Sequence, residues 1–385
     1  MWDDESPQDH KKEECLMVNI ITAREEIGKF FYQYGFGQIL SGVPQERLAE
    51  IISGLAMKGN QSKTTDFAEL KQGFRTTYGH FLSKGKWDEQ AVSQQQQEVS
   101  FQKIAELALA KDAPLYLSID DTVIEKKKPS TRAKQPMEGT GWHYSHLAGK
   151  QVFGYQVFGA NISAGDVSLC FCLRRCCPEN GSKIEMAVQL LDNMPKTDAR
   201  VILEMDSWYT CKALWDKAAE KSVTLIGAMK TNRILYPDGH RYNAQDYAAM
   251  LPNDQYHPVT VGGHEYLVHR FEGALNGIEK ARVLLSYPKG AFGNKKALRV
   301  FICSDLFLSD EQILTHYSRR WKIEVMFKLH KMYLGLKSFM VRSVKAIDRL
   351  FVIFPLAHFF FIVFGDIFLP LSVAIRRFRG LLCNF

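Results

Sequence analysis

Long clean hydrophobic runs, internal repeats, low-complexity tracts and cysteine pairs at metal-binding intervals are scarce or missing in this 385-residue chain. Each lack excludes something. The longest apolar stretch, LFVIFPLAHFFFIVFGDIFLPLSVAI from Leu350 to Ile375, is interrupted by Pro355, His358, Asp366 and Pro370. A bilayer span needs about 20 predominantly apolar residues, and a charge at mid-bilayer is costly. The stretch is therefore expected to be a buried terminal helix, and no membrane is expected as a partner. The N-terminal MWDDESPQDHKKEE is charged throughout and does not read as a signal peptide. A cytoplasmic protein is the expectation, with its eight cysteines as reduced thiols. CFCLRRCC, carrying Cys170, Cys172, Cys176 and Cys177, has C-x-C-x3-C-C spacing instead of paired C-x2-C. That argues against structural zinc and for small side chains in a strand. QQQQ at Gln94–Gln97 is too short to count as low complexity.

What is present is an ordinary globular composition, 46% apolar, with a net charge of +7. The excess is unevenly placed. From Tyr317 to the end there are 12 Lys and Arg against 3 Asp and Glu. A second basic run, EKKKP at Glu125–Pro129, lies far upstream. Clustered positive charge points to a polyanion, nucleic acid before anionic lipid. Lys126, Lys127 and Lys128 are candidate phosphate contacts, as are Lys230 and Arg233 at the end of an apolar run.

Texture divides the chain. Residues 1–110 read as a helical N-terminal domain, with Leu48, Ile51, Ile52 and Leu55 at helical spacing and a basic, aromatic-rich stretch beyond. A DNA-binding module and a plain amphipathic bundle fit that segment equally. From about residue 113 short apolar runs of strand type take over: PLYLSIDDT, QVFGYQVFGANIS, VSLCFCL, ARVILEMD, VTLIGAMK and ALRVFICSD. SWYTCKALWDKAAEK reads as a helix with Ser207 as its N-cap. PDG, PND, VGG and PKG mark turns in a β-rich segment at about 231–296. Ser309–Gln312 is a capping box that opens a helix through the basic stretch YSRRWKIEVMFKLHK, with Gly335 as the stop. The fold class expected for 111–365 is α/β, a sheet interrupted by an insertion, followed by a short basic tail at 366–385.

Three carboxylates occupy telling places. Asp121 ends the first strand, Asp206 ends a later one, and Glu324 sits inside the basic helix. At about 100° per residue, Tyr317, Arg320, Glu324 and Lys331 lie at about 0°, 300°, 340° and 320°, on one stripe. Such a stripe is a solvated face or a site. The aspartates have equally plain alternatives as a turn and a helix cap. Taken together, two strand-end aspartates and a helical glutamate form an oxygen ligand set for hard divalent cations. Two such ions clamp the attacking and leaving oxygens of phosphoryl transfer.

These residues carry a resemblance. Tyr317, Arg320, Glu324 and Lys331 match the Tyr-x2-Arg-x3-Glu-x6-Lys signature of the insertion-sequence-four subgroup of bacterial DDE transposases. Asp120-Asp121-Thr122 and DSWYT at Asp206–Thr210 resemble the two other acidic motifs. The resemblance covers roughly residues 110–365. It implies a ribonuclease H-like core, a β-rich insertion before the last catalytic helix, and an enzyme that cleaves DNA at element ends and transfers strands. It implies Asp121, Asp206 and Glu324 as metal ligands, with Mg²⁺ as the ion and Mn²⁺ as a substitute. Asp121 is preferred because the motif puts the acid directly before Thr, which leaves Asp120 as a neighbouring support. Tyr317, Arg320 and Lys331 are implied DNA-backbone contacts. Partners are the element's terminal repeats and target DNA, engaged by a homodimer. His143 and His146 are read as structural or DNA-facing. No Trp lies between Trp215 and Trp321 to stack a flipped base from the insertion, and no hairpin step is assigned. Two alternatives stand beside this: a nuclease that cuts without strand transfer, and an inactive copy that only binds DNA.

Overall fold

The protein is described from a computed structural model covering residues 22–61, 65, 74–133, 136–145, 148–275 and 277–382. The charged N-terminus, His146 and part of the basic stretch at 65–87 fall outside those residues.

Among the described residues, twelve strands form one mixed sheet. They are β1 (Leu115–Glu125), β2 (Gly141–Ser145), β3 (Lys150–Ala164), β4 (Val167–Arg175), β5 (Val201–Met205), β6 (Thr224–Met229), β7 (Ile234–Tyr236), β8 (Tyr242–Asn243), β9 (His257–Val261), β10 (His264–Leu275), β11 (Ile278–Pro288) and β12 (Arg299–Cys303). The order is β2-β3-β1-β5-β6-β12-β11-β10-β7-β8, with β4 on β3 and β9 on β10. β1, β5 and β6 run parallel to one another, and the other pairings among the described strands are antiparallel. β5 is buried along its whole length, as a central parallel strand covered on both faces must be. The turn-rich segment forms β7–β11, which extend the same sheet through the antiparallel β11–β12 pair. Gly262 and Gly263 both take positive φ in the β9–β10 turn, a geometry that favours glycine.

The helices are α1 (22–33), α2 (Phe36–Ile39), α3 (Gly42–Lys58), α4 (Arg75–Lys84), α5 (Glu89–Ala110), α6 (Lys183–Asp192), α7 (Lys212–Glu220), α8 (Ala244–Met250), α9 (Asp310–Ser318), α10 (Trp321–Tyr333), α11 (Val344–Gly365) and α12 (Leu371–Leu382). The QQQQ run lies within α5. There Gln96 is buried and donates to the Cys170 carbonyl of β4 at 3.2 Å. α1 to α5 share one hydrophobic core with the sheet.

α11 is long and apolar enough to cross a membrane, but 78% of its most apolar window is buried inside the fold. It packs on β4, α4, α5 and α12. Buried Arg349 ties it to the N-terminal helices by donating to the carbonyls of Phe81, Leu82, Gly85 and Trp87. The segment expected as a basic tail is instead mostly helix. Leu371, Ala374, Ile375, Phe378 and Leu382 recur at helical spacing and are buried, while Arg379 donates to the Ala56 carbonyl of α3.

Two local expectations change. Ser207 does not cap α7, which starts at Lys212 after Cys211. The Ser309–Gln312 capping box is formed, but the basic stretch spans two helices joined at Arg319–Arg320. Bonds of the i→i+3 type, Arg320 N–H to Tyr317 O and Ile323 N–H to Arg320 O (both 3.1 Å), tighten that junction. Gly335 follows the end of α10 in the left-handed region, as a stop residue should.

Candidate active site

β1 carries both aspartates of the first motif, and its pleat sends them to opposite faces. Asp120 pairs in register with Gly159 of β3, and Asp121 with Phe158. α10 lies over the Asp120 face. Its Phe327 ring sits where a Cβ on Gly159 would come within 2.6 Å, so only glycine permits this approach. Arg320 donates to Asp120 Oδ2 at 3.0 Å and to Glu324 Oε1 at 2.5 Å, and Lys331 donates to Thr122 Oγ1 at 2.6 Å. Thr122 shares the Asp120 face, two residues along.

Asp206 follows the end of β5. Its Oδ1 accepts the N–H groups of Trp208 at 2.9 Å and Tyr209 at 3.3 Å, which fixes the carboxylate against its own turn. Thr210 Oγ1 donates to the Asp206 carbonyl at 3.1 Å and to the Ala228 carbonyl of β6 at 2.6 Å, so the turn is held against the sheet. Burial and the nearby Asp206 carboxylate push the Asp120 carboxyl up to about 6. The Arg320 guanidinium links Asp120 to Glu324, and Asp206, level with Asp120 just beyond the neighbouring parallel strand, lies on the same side of the sheet.

Asp121 is elsewhere. It accepts from Lys183 Nζ on α6 (2.6 Å), Gln156 Nε2 on β3 (2.6 Å) and the Tyr209 hydroxyl (3.1 Å). The expectation that Asp121, with Asp120 in support, shares a site with Glu324 thus runs against the pleat. Three cationic or hydrogen-bonding partners engage Asp121 on the face away from α10.

The basic candidates separate in the same way. Lys126 is buried, donates to the carbonyls of Lys337 and Phe339 at 2.9 and 2.7 Å, and has its ammonium lowered to about 8 by burial. It closes a chain segment and is not presented to a phosphate. Lys127, Lys128 and Lys230 are exposed, Lys128 over the Trp142 ring at 5.6 Å and Lys230 over Trp208 at 5.5 Å. Arg233 is half-buried. The Tyr317 ring packs on Phe301 at 4.7 Å with Arg320 near its face, and burial raises its hydroxyl. His143 lies half-buried on the Asp121 face, where burial lowers it.

One acid escaped the sequence argument. Glu204, inside the apolar run VILEM, is fully buried beneath Asp206 and accepts from Ser118 Oγ at 2.7 Å. Its other oxygen has no hydrogen-bond partner, and burial pushes its carboxyl up to about 8. An acid in the middle of a strand otherwise built for the core was the available signal. Lys183 gave no such signal, since nothing nearby in sequence marks it.

Residues 113–359 match the family model described as transposase DDE domain. The chain belongs to that family. Among curated proteins none matches it. The family assignment makes the chain a DDE transposase by type, and α/β architecture with one large mixed sheet is consistent with it. Among the described residues of this DDE domain, no three His, Cys, Asp or Glu side chains already enclose an ion-sized site. Of the Cys170–Cys177 run, Cys170 and Cys172 are buried in β4, and Cys176 and Cys177 are half-buried beyond it. The donor set does suit a hard cation. Asp120, Asp206 and Glu324 offer only carboxylate oxygens, and a positive group, Arg320, already bridges two of them.

Proposed function

We propose that this DDE domain belongs to the Tyr-Arg-Glu-Lys subgroup and cuts DNA at the ends of an insertion sequence by phosphoryl transfer. The core is read as ribonuclease H-like, with β7–β11 as the insertion and the helices before residue 111 as a DNA-binding part. The observation that carries the reading is the shared face of Asp120, Asp206 and Glu324 beneath Arg320 and Lys331. Asp120 takes the place that the motif alone assigned to Asp121, because only Asp120 faces α10.

Asp120, Asp206 and Glu324 would hold Mg²⁺, or Mn²⁺ in its place. When bound, the ions supply charge neutralisation at the phosphodiester and a lowered pKa for the attacking water. The chain's own residues do the rest. Asp206 is oriented by the Trp208 and Tyr209 amides, so its carboxylate is preset. Arg320 and Lys331 supply positive charge on the same face for the DNA backbone. Water oxygen bonds to phosphorus, the bond to the 3′-oxygen breaks, and the element keeps a 3′-hydroxyl. That hydroxyl oxygen then bonds to the phosphorus of a second phosphodiester, whose own 3′-oxygen leaves and takes up the proton as a new 3′-hydroxyl, so the strands are joined with no net change in the number of phosphodiester bonds. A homodimer acting on two terminal repeats is part of the proposal.

The test is Mg²⁺-dependent cleavage of the element's own end DNA by the wild type beside Glu324→Gln. Cleavage lost with binding retained supports the reading. A wild type that binds and never cuts favours the DNA-binding reading, and cleavage by Glu324→Gln at the wild-type rate overturns the assignment.

A further inference from the structure

Behind α10 the packing leaves a space. A cavity of about 340 Å³ lies between α10, α11, the turn joining β3 to β4, and the connection from α11 to α12. Val325, Met326 and Leu329 of α10 line it, with Ile362 of α11 and Ile367 and Leu369 of the connection. At about 100° per residue those α10 positions lie about 100°, 200° and 140° round the helix from Glu324. The cavity is therefore on the far side of α10 from the candidate acids. Its volume falls within the span of small-molecule pockets, about 300–1,000 Å³.

An apolar space alone names no ligand. Here a buried polar group opens into it. His358 of α11 lines the cavity, yet is only 2% exposed. Its Nδ1 accepts the Cys170 amide N–H at 3.3 Å, so Nδ1 carries no proton. His330 Nε2, 2.9 Å from the same atom, must then be the donor between the two rings. Burial keeps the His358 ring neutral, lowering it to about 3. Its one proton is left on Nε2, which has no hydrogen-bond partner among the described residues. A donor facing hydrocarbon without an acceptor is unfavourable, and a ligand oxygen would satisfy it.

A second donor reaches the same space. Lys322 lies on the cavity face of α10 and gives one N–H to the Gly165 carbonyl at 2.5 Å. An ammonium has three. Burial lowers Lys322 to about 8, which leaves it charged at neutral pH. The Lys111 ammonium stands nearby, 5.3 Å from the centroid of the Phe368 ring that also lines the cavity. Asp166 lines the space as well and attracts Lys322, with no hydrogen bond between the two among the described residues. Two ammonium groups against one carboxylate leave the rim positive.

We propose that this cavity binds a small organic acid, a carboxylate on a hydrocarbon body. Lys322 meets its charge, His358 Nε2–H donates to an oxygen, and Val325, Met326 and Leu329 hold its body. The site stands apart from the proposed DNA cleavage and needs neither metal nor nucleic acid.

The experiment is calorimetric titration of the full chain at neutral pH with octanoate, acetate and 1-octanol. Octanoate is expected to saturate one site per chain and to bind about tenfold or more tighter than acetate, because its body is buried. It is also expected to bind about tenfold tighter than 1-octanol, which has the body without the charge. Lys322→Gln should remove that advantage and leave 1-octanol binding within about twofold. Val325→Trp and Leu329→Trp fill the space from α10, and both should abolish octanoate binding. Val325 is already partly exposed, so its replacement is the milder of the two. Circular dichroism and thermal unfolding check that each variant is folded. Octanoate that binds a folded tryptophan variant as it binds the wild type is associating with the surface, and the site is wrong. Absence of saturable binding to the wild type, or an octanoate affinity unchanged in Lys322→Gln, overturns it as well. In each of those cases the cleavage reading is untouched.

Discussion

Asp120 and Asp121 are neighbours in sequence and face opposite sides of one strand: Arg320 donates to Asp120 Oδ2 at 3.0 Å, and Lys183 pairs with Asp121 Oδ1 at 2.6 Å. The pleat makes their jobs separable. Asp120→Asn is expected to reduce end cleavage by about a thousandfold or more, equivalent to about 4 kcal/mol of barrier. Asp121→Asn is expected to keep cleavage within about tenfold and to loosen Lys183. A nicking assay with both variants checks this, and the reverse order would return Asp121 to the metal site.

The close approach of α10 to β3 sets the height of Glu324 above the sheet. A Cβ at Gly159 would meet Phe327 Cζ at 2.6 Å and Cε1 at 2.7 Å. Gly159→Ala is expected to cost about 1–3 kcal/mol by overpacking. Adding Phe327→Leu should recover part of it. Urea unfolding of the two single variants and the double variant measures the coupling. Strict additivity would mean that the contact is not what limits the site.

Stability should fall in mild acid because of two histidines far from the carboxylates. His330 of α10 and His358 of α11 lie 2.9 Å apart, ring nitrogen to ring nitrogen, and His358 Nδ1 also lies 3.3 Å from the Cys170 amide nitrogen. Burial lowers both, His358 to about 3. In the unfolded chain they take up protons near pH 6.5, while folded they stay neutral. Unfolding then binds up to two more protons. Stability is lost as pH drops below about 6.5, with a slope approaching about 2.7 kcal/mol per pH unit from this pair. Denaturant unfolding at pH 7.5 and 5.5 should show a shallower loss for the His330→Gln/His358→Gln double variant, which is itself less stable at pH 7.5. Parallel losses in the two proteins would contradict the assignment.

The lysines of the EKKKP run should behave as two kinds. Lys127→Gln and Lys128→Gln are each expected to lower the salt dependence of DNA binding by about 0.9 in log–log slope if they meet phosphates. Lys126→Gln should leave that slope unchanged and lower stability, because two backbone carbonyls lose their donor. Salt titrations of binding, with thermal unfolding of the same proteins, separate the two groups.

Apolar runs and punctuation made much of the architecture legible from sequence. β1, β4, β5, β6 and β12 lie where short apolar runs predict them, the Ser309–Gln312 box opens α9, and the glycine pair turns β9 into β10. Those signals are local: periodicity, caps and turn residues act within a few positions. Spacing also brought Arg320, Glu324 and Lys331 to one stripe, because helical phase is arithmetic. Which of two adjacent aspartates meets that stripe was not arithmetic. It depends on the register of β1 against β3 and on the side from which α10 packs, and both are decided by the whole sheet. The same holds for Lys126, basic in sequence and buried in the fold. It holds equally for Lys183, Trp208 and Lys230, whose meeting depends on α6, the turn after β5 and the end of β6 closing on one edge.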